Sequence, residues 1–513
     1  MRTESTTHAH APAYVMSRVA APSASQARAL LVGCTSLYLA RARLASTATV
    51  DEGALTSLAM MLLAALGAMR RALRDADANA DARDSATTSY GALAGLAPVW
   101  ALCAASARAS GYSSAAATAS AFSAAGSVAY VDAWTPSSAK RAFASAVMWM
   151  VAMRVVTGTL ASDAVTVATA RAFGWGLAGA ASERETTTLS LGAAIVLEAC
   201  VRAYSNAPDG VSEATALACA FALAGVCFLS ASARLVCWPE PANGTTRAVV
   251  IGAAFVIPEL FYRACTKNAT NLLAGVVRYT LRTDAESLKT LTALWVSGVV
   301  VAATAAYNAR AVSLTMRRKA FHLLVVVMFA PTLTRDSAHG ELVRVAFAAA
   351  FALFAAAECA RVFDAYYGVG VFGWKLSLLL AQFVDGRVVS LIILDHFSLL
   401  LGIAAPVWMT AVEDTNTLAP WAGLLAVGVG DSFASVVGSS IGRIRVFGDE
   451  SPKTLEGAIA FAASTFIAAR FVGVDIDTVK LAAACVATAA CELVDDGVDN
   501  FVLPLYFAAL VGL

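Results

Sequence analysis

The sequence predicts an all-α, polytopic integral membrane protein with about 14 transmembrane helices. Hydrophobic residues make up 59% of the 513 residues and charged residues only 14%, far below the roughly 25% that is usual in soluble domains. The mean hydropathy is +0.68, and apolar segments of the length that a bilayer requires follow one another along the chain. A net charge of +1 without a basic domain argues against a nucleic-acid-binding protein.

The first 27 residues, 1–27, are predicted to be a disordered tail or a targeting segment. Up to Leu30 the chain contains Arg2, Arg18 and Arg28 but a single acid, Glu4, among many Ala and Ser residues. An Arg-rich, acid-poor N-terminus is typical of organellar transit peptides. A disordered cytosolic tail explains the composition equally well, so both interpretations stay open.

Residues 28–310 are predicted to form an N-terminal transmembrane region. A spanning helix needs about 20 residues, and apolar segments near that length recur throughout this region. The candidate spans lie near 28–40, 53–69, 91–107, 115–131, 142–160, 163–180, 189–204, 213–236, 247–264 and 288–307. The segment 70–89 is too rich in charge to cross a bilayer and is predicted to be a linker.

Residues 311–513 are predicted to form a C-terminal transmembrane region that carries the candidate site. Its candidate spans lie near 320–334, 342–360, 388–411, 418–441, 455–472, 478–494 and 499–513. Cytosolic loops are enriched in Lys and Arg, so the basic residues 317–319 orient the count of spans. That count brings the segments 317–322, 428–457 and 492–500 to the cytosolic face.

Charged residues of both signs meet at that face in this prediction. Carboxylates are hard oxygen ligands that suit Mg²⁺, whereas lysines and arginines neutralise phosphate oxygens. The acids are Asp431, Glu492, Asp495, Asp496 and Asp499, and the bases are Arg318, Lys319, Arg443, Arg445 and Lys453. Together they predict a nucleotide phosphate site that includes a divalent cation. The site is not a Walker loop, because Phe447 and Pro452 occupy the glycine positions of that motif.

Small and polar residues follow a helical spacing in the segment 428–441. Asp431, Ser435, Gly438 and Gly442 would lie along one stripe, because residues three and four apart share a helix face. Either a ligand or another helix can approach such a stripe closely, and an isolated GxxxG pattern more often indicates helix packing. The adjacent KTLEG segment favours a ligand here.

Several of these segments, taken in order, resemble those of the dolichol kinases, membrane enzymes of the polyprenol and phytol kinase superfamily. The resembling segments are RKAFH, QFVDGRVVSLIILDHFSLLLG with the following PVW, GVGDSFASVVGSSIGRI, KTLEG, and Glu492 followed by DNFVLPLY. They cover roughly residues 317–508, whereas the first 300 residues agree only as a hydrophobic array. One departure falls in a central motif, since Pro452 stands where the family tends to have a lysine.

The resemblance implies a site for CTP, the family's phosphate donor, and roles for individual residues. The implied CTP-binding residues are Asp431, Ala434, Ser435, Gly438, Gly442, Arg443, Lys453, Thr454, Glu456 and Gly457. The implied catalytic residues are Asp431, Lys453, Glu456 and His322, with Asp431 and Asp499 as ligands of Mg²⁺ or another divalent cation. Further candidates are Arg318, Lys319, His396, Glu492 and Asn500, and the general base is open among His322, His396 and Asp431.

The resemblance also implies an activity and a location. The reaction would transfer phosphate from CTP to the terminal hydroxyl of dolichol, giving CDP and dolichyl phosphate, the lipid carrier of protein glycosylation. The location would be the endoplasmic reticulum membrane, with the active site facing the cytosol. The alternatives are a plastid phytol or prenol kinase, a phosphatidate cytidylyltransferase and, least favoured, a transporter.

Overall fold

The computed structural model describes most of the C-terminal part of the chain. The described residues are 211–237, 244–267, 271–308, 314–333, 337–367, 392–393, 395–410, 416–447, 451–494 and 499–512, with isolated positions 27, 31, 34, 35, 38, 189, 192, 193, 196 and 200. The predicted spans between 53 and 180 and the predicted linker 70–89 lie outside this part of the chain.

Eleven α-helices make up the described residues. They are α1 Glu213–Cys237, α2 Gly244–Thr266, α3 Leu272–Arg282, α4 Ala285–Asn308, α5 Leu314–Leu333, α6 Ser337–Tyr367, α7 Asp395–Met409, α8 Ser432–Ile441, α9 Leu455–Val472, α10 Thr478–Val494 and α11 Asp499–Gly512. A 3₁₀ turn at Ala419–Trp421 and a π-helical segment at Leu424–Asp431 precede α8. The predicted all-helical fold is confirmed for this part of the chain.

Five helices in the described part are long and apolar enough to cross a membrane. They are Glu213–Leu235, Arg247–Thr266, Gly340–Asp364, Leu424–Ile441 and Leu455–Val472. Shorter apolar helices lie at Leu288–Val301, His396–Met409 and Asn500–Gly512. This arrangement fits a polytopic membrane protein, although it does not confirm a total of about 14 spans.

Most predicted spans of the described part coincide with helices. The segments 213–236, 247–264, 288–307, 320–334, 342–360, 455–472, 478–494 and 499–513 correspond to α1, α2, α4, α5, α6, α9, α10 and α11. The segment 388–411 was assigned too early a start, because Ile392 and Ile393 are not helical and α7 begins only at Asp395. Helix α3 was missed, since its 11 residues are too short and too amphipathic to resemble a span.

Most of the helices pack around one large apolar core, and a second, smaller apolar cluster lies between α1, α2 and α6. Helix α6 packs along α1, and α2 covers another side of α1. Helix α9 contacts α8, α10 and the π-helical segment, while α7 packs against α11. Near the N-terminus, the helical position Thr35 places its hydroxyl 2.7 Å from that of Tyr506 in α11. The predicted boundary between the two transmembrane regions, at residue 310, falls between α4 and α5. Helix α1, which precedes this boundary, packs against α6, which follows it.

Glycines allow the π-helical segment to approach its neighbours. A Cβ atom on Gly428 would overlap the side chain of Val326 in α5, and one on Gly430 would overlap Phe461 and Thr465 in α9. The segment therefore lies between α5 and α9, and Asp431 is its last residue. Short π-helical stretches often mark functional positions, because they change the direction in which the next side chains point.

Candidate functional site

Two side chains from one turn of α5 contact Asp431. Lys319 forms an ion pair with the Asp431 carboxylate, and His322 Nδ1 lies 3.3 Å from the same Oδ2 atom. Lys319 and His322 are three residues apart, so both face the π-helical segment. The structure therefore brings together two of the three segments that were predicted to converge.

These three side chains are withdrawn from solvent. The exposed fraction of the side chain is 14% for Lys319, 5% for Asp431 and 3% for His322. A buried carboxylate is costly unless a cation or hydrogen-bond donors balance its charge. We call Lys319, His322 and Asp431 the acidic-centre cluster, because Lys319 and His322 both lie against the Asp431 carboxylate.

The glycine stripe of α8 packs against the start of α9. A Cβ atom on Gly438 would lie 3.1 Å from Thr454 Oγ1, and one on Gly457 would lie 3.0 Å from the backbone oxygen of Ala434. A Cβ atom on Gly442 would overlap both Thr454 and the carbonyl oxygen of Gly438. The structure thus assigns these glycines to close helix packing, whereas contact with CTP stays a prediction.

Thr454 and Glu456 organise the loop between α8 and α9. Thr454 caps α9 by accepting a hydrogen bond of 3.2 Å from the Gly457 N–H, which is a common stabilising feature of helix starts. The Glu456 carboxylate accepts hydrogen bonds from the N–H groups of Arg443 at 3.0 Å and Ile444 at 3.2 Å. Glu456 therefore fixes the backbone that presents Arg443, whose side chain is exposed.

Lys453 connects this loop to the end of α10. Its ammonium group donates a hydrogen bond of 2.6 Å to the carbonyl oxygen of Glu492 and lies 3.0 Å from Glu492 Oε1. The exposed fraction of the side chain is 20% for Lys453 and 8% for Glu492. The third predicted segment thus contacts the loop through its first residue, although residues 495–498 lie outside the described part.

The other predicted residues are distributed around these contacts. Ser435 and Arg318 are half-buried, Ala434 and Asn500 are buried, and His396 lies half-buried in the first turn of α7. The side chain of Asp499 falls outside the described residues, so its metal contact stays a prediction. Within the described part, no group of three or more His, Cys, Asp or Glu side chains could hold a metal ion alone.

The sequence analysis did not predict two features of the structure. The π-helical geometry of Leu424–Asp431 carries no composition signal that separates it from an α-helix, since its residues are apolar or small in both cases. The buried pair Glu358–Arg361 in α6 was likewise missed, although Glu358 is a charge inside the predicted span 342–360 and could have drawn attention to it.

These features define a helical membrane protein in which buried charged side chains from several helices pair with one another near a glycine-packed loop. The chain is similar to dolichol kinases. It is 34% identical over 230 residues to Dolichol kinase EVAN of Arabidopsis thaliana, and this alignment covers 42% of this chain and 39% of that protein. It is 32% identical over 212 residues to mouse dolichol kinase, covering 38% of each chain. It is also 32% identical over 156 residues to dolichol kinase of Saccharomyces cerevisiae, covering 30% of this chain and 27% of the yeast protein.

The aligned portion is limited in extent. The chain spans about two fifths of the length of the first curated relatives that it matches. No family model matches the chain, and no solved structure matches it either. The resemblance to dolichol kinases that the sequence motifs predicted is confirmed by these relatives.

Proposed function

We propose that this protein is a CTP-dependent dolichol kinase of the endoplasmic reticulum membrane. The observation that carries the proposal is the similarity to dolichol kinases from a plant, a mammal and a yeast. The acidic-centre cluster and the loop that holds Lys453 support it, because they supply the charges that phosphoryl transfer requires.

In this proposal the phosphates of CTP bind near the loop between α8 and α9. Lys453 and Arg443 would neutralise phosphate oxygens, since ammonium and guanidinium groups form strong charge-assisted hydrogen bonds with them. Lys453 would exchange part of its contact with Glu492 for a phosphate. Glu456 and Thr454 would act indirectly, by fixing the backbone that presents these cations.

The donor set fits a divalent cation that arrives with the nucleotide. Asp431 offers a carboxylate whose two described contacts both involve Oδ2, and Asp499 is the second proposed ligand. Mg²⁺ is usually bound through one or two carboxylates together with phosphates and water, so two protein ligands suffice. When bound, the cation would neutralise charge on the triphosphate.

The acceptor in this proposal is the terminal hydroxyl of a polyisoprenoid alcohol. Its oxygen would form a bond to the γ-phosphorus as the bond from that phosphorus to the β,γ-bridging oxygen breaks, so that CDP leaves. We assign the hydroxyl proton to His322, because the Asp431 carboxylate is already paired with Lys319 and the imidazole is the neighbouring group that can accept a proton. The isoprenoid chain would stay in the lipid while its terminal hydroxyl meets the charged side chains among these helices.

A label-transfer assay tests the proposal. Purified protein in detergent would receive CTP labelled at the γ-phosphate, Mg²⁺, and dolichol, phytol or phosphatidic acid in separate reactions. We expect the label to appear in dolichyl phosphate with CDP as co-product. Transfer to phytol alone would establish the prenol kinase alternative, whereas release of labelled pyrophosphate with phosphatidic acid would establish a cytidylyltransferase. Absence of transfer to any alcohol would overturn the kinase proposal.

A further inference from the structure

Helix α6 contains a buried ion pair outside the acidic-centre cluster. The Arg361 guanidinium contacts both oxygens of Glu358, with Nε to Oε2 at 2.8 Å and Nη2 to Oε1 at 2.7 Å. The exposed fraction of the side chain is 2% for Glu358 and 11% for Arg361. Apolar residues usually stabilise such a position as well as a buried pair does. A charged pair inside a membrane helix therefore indicates a function other than stabilising the fold.

Glu358 also contacts the backbone ahead of α7. Its Oε1 atom accepts a hydrogen bond of 2.7 Å from the N–H of Ile393, two residues before the helix starts at Asp395. This N–H lies outside the helix and so has no helical carbonyl as its partner, and a buried backbone N–H needs an acceptor. The bidentate contact with Arg361 fixes the orientation of the Glu358 carboxylate toward this N–H. The ion pair in α6 thereby anchors the approach to α7.

The opposite end of α7 is held to α6 as well. Arg344 donates a hydrogen bond from its guanidinium to the carbonyl oxygen of Thr410, just after the last residue of α7. The indole N–H of Trp408 donates to the carbonyl oxygen of Arg344 at 3.3 Å. Because α6 binds α7 at both ends, a change at Glu358 alters the position of one defined end.

That end carries residues of the candidate site. His396 lies in the first turn of α7, and a Cβ atom on Gly402 would overlap the backbone carbonyl group of Asn500 in α11. We propose that Glu358 is a positioning residue for phosphoryl transfer, which fixes the start of α7 and, through Gly402, the start of α11. This inference rests on the proposed function and deepens it.

Three variants test whether the position of the Glu358 acceptor atom or the charge of Glu358 is what matters. Glu358→Asp keeps the charge but withdraws the acceptor by one methylene group, whereas Glu358→Gln with Arg361→Gln keeps the acceptor and removes both charges. Glu259→Asp is the matched control, because Glu259 pairs with Arg263 in α2 and accepts the N–H of Leu272 at 2.8 Å, at the start of α3. In that contact, too, a glutamate that pairs with an arginine accepts a backbone N–H, but the helix that begins there contains no candidate site residue.

The readouts are hydrogen–deuterium exchange of the amide of Ile393 and kcat and KM for CTP with dolichol, in purified full-length protein. We expect Glu358→Asp to speed exchange and to lower kcat by about tenfold, because small displacements of reacting groups cost that much or more. KM for CTP should change less than twofold, and the double variant and Glu259→Asp should keep kcat within about threefold.

The inference is overturned if Glu358→Asp speeds exchange while kcat stays within twofold of the wild type. It is also overturned if the double variant lowers kcat as much as Glu358→Asp does, since the pair would then only stabilise the fold. If Glu358→Asp does not fold, Glu358→Leu combined with Arg361→Leu replaces it, because that pair removes the acceptor without leaving a buried charge. A kcat within twofold of the wild type in that variant would overturn the inference, and a loss of about tenfold would support it. Failure of the proposed function is recognised separately, because the wild type would then transfer no phosphate while exchange still reports the contact.

Discussion

Lys319 of α5 and Asp431, separated by 112 residues in the chain, form a buried ion pair at the end of the π-helical segment. The pair joins the first basic motif of the C-terminal region to the small, polar segment that precedes α8. His322, one turn along α5, reaches the same carboxylate oxygen. These contacts give the acidic-centre cluster both its stability and its proposed chemistry.

Lys319→Met should unbalance the carboxylate of Asp431. A single charge left buried after its partner is removed typically costs about 3–5 kcal/mol, so we expect the free energy of unfolding to fall by that amount. Thermal unfolding in detergent measures the loss, and label transfer from CTP should become undetectable. In the control, Lys319→Met combined with Asp431→Asn should recover most of the stability but no activity. Near-normal turnover in the single variant would show that the pair lies outside the catalytic site.

Lys453→Met should weaken binding of CTP. The variant removes the ammonium group that we assign to phosphate binding, so KM for CTP should rise at least about tenfold, which is typical of losing one charged contact. Glu492→Gln is the comparison, because it removes the negative charge opposite Lys453, keeps the backbone carbonyl that Lys453 contacts and leaves the lysine charge in place. We expect Glu492→Gln to change KM much less. An equal rise of KM for CTP in both variants would mean that the contact between Lys453 and Glu492, rather than a contact between Lys453 and a phosphate, determines the binding of CTP.

Gly442→Ala should separate α8 from α9. The added methyl group would overlap Thr454 and the carbonyl oxygen of Gly438, and overpacking of this kind usually costs about 1–3 kcal/mol. Gly252→Ala provides a control in α2, where a Cβ atom meets nothing within 4 Å. That control should be neutral or stabilising by up to about 1 kcal/mol. Equal thermal unfolding of the two variants would contradict the close packing of α8 and α9.

Glu456→Gln should disturb the loop without changing the requirement for Mg²⁺. Glu456 accepts hydrogen bonds from the backbone of Arg443 and Ile444, so a weaker acceptor should speed hydrogen exchange at both amides. The concentration of Mg²⁺ that gives half-maximal activity should match that of the wild type. A marked increase in that concentration, with unchanged exchange, would assign Glu456 to the metal instead.

The ends of α9, α10 and α11 were predictable because local chemistry marks them. Thr454 is an N-cap residue, Gly473 adopts the left-handed conformation that ends α9, and apolar runs fill the interval between them. The start of α7 was not predictable in this way. Ile392 and Ile393 are as apolar as the helix that follows, and the non-helical Ile393 is held by Glu358, a residue from another helix.

The sequence by itself determined the membrane class, most helices of the described part and the residue types of the candidate site, because apolar length and motif spacing are local properties. Only the tertiary structure decided which charges balance one another: Lys319 with Asp431, Lys453 with Glu492, and Glu358 with both Arg361 and the backbone of Ile393. It also assigned the glycines of α8 to a helix contact, a choice that their spacing had left open. Such pairings depend on which helices pack side by side, and burial makes an unbalanced charge costly enough to select among them.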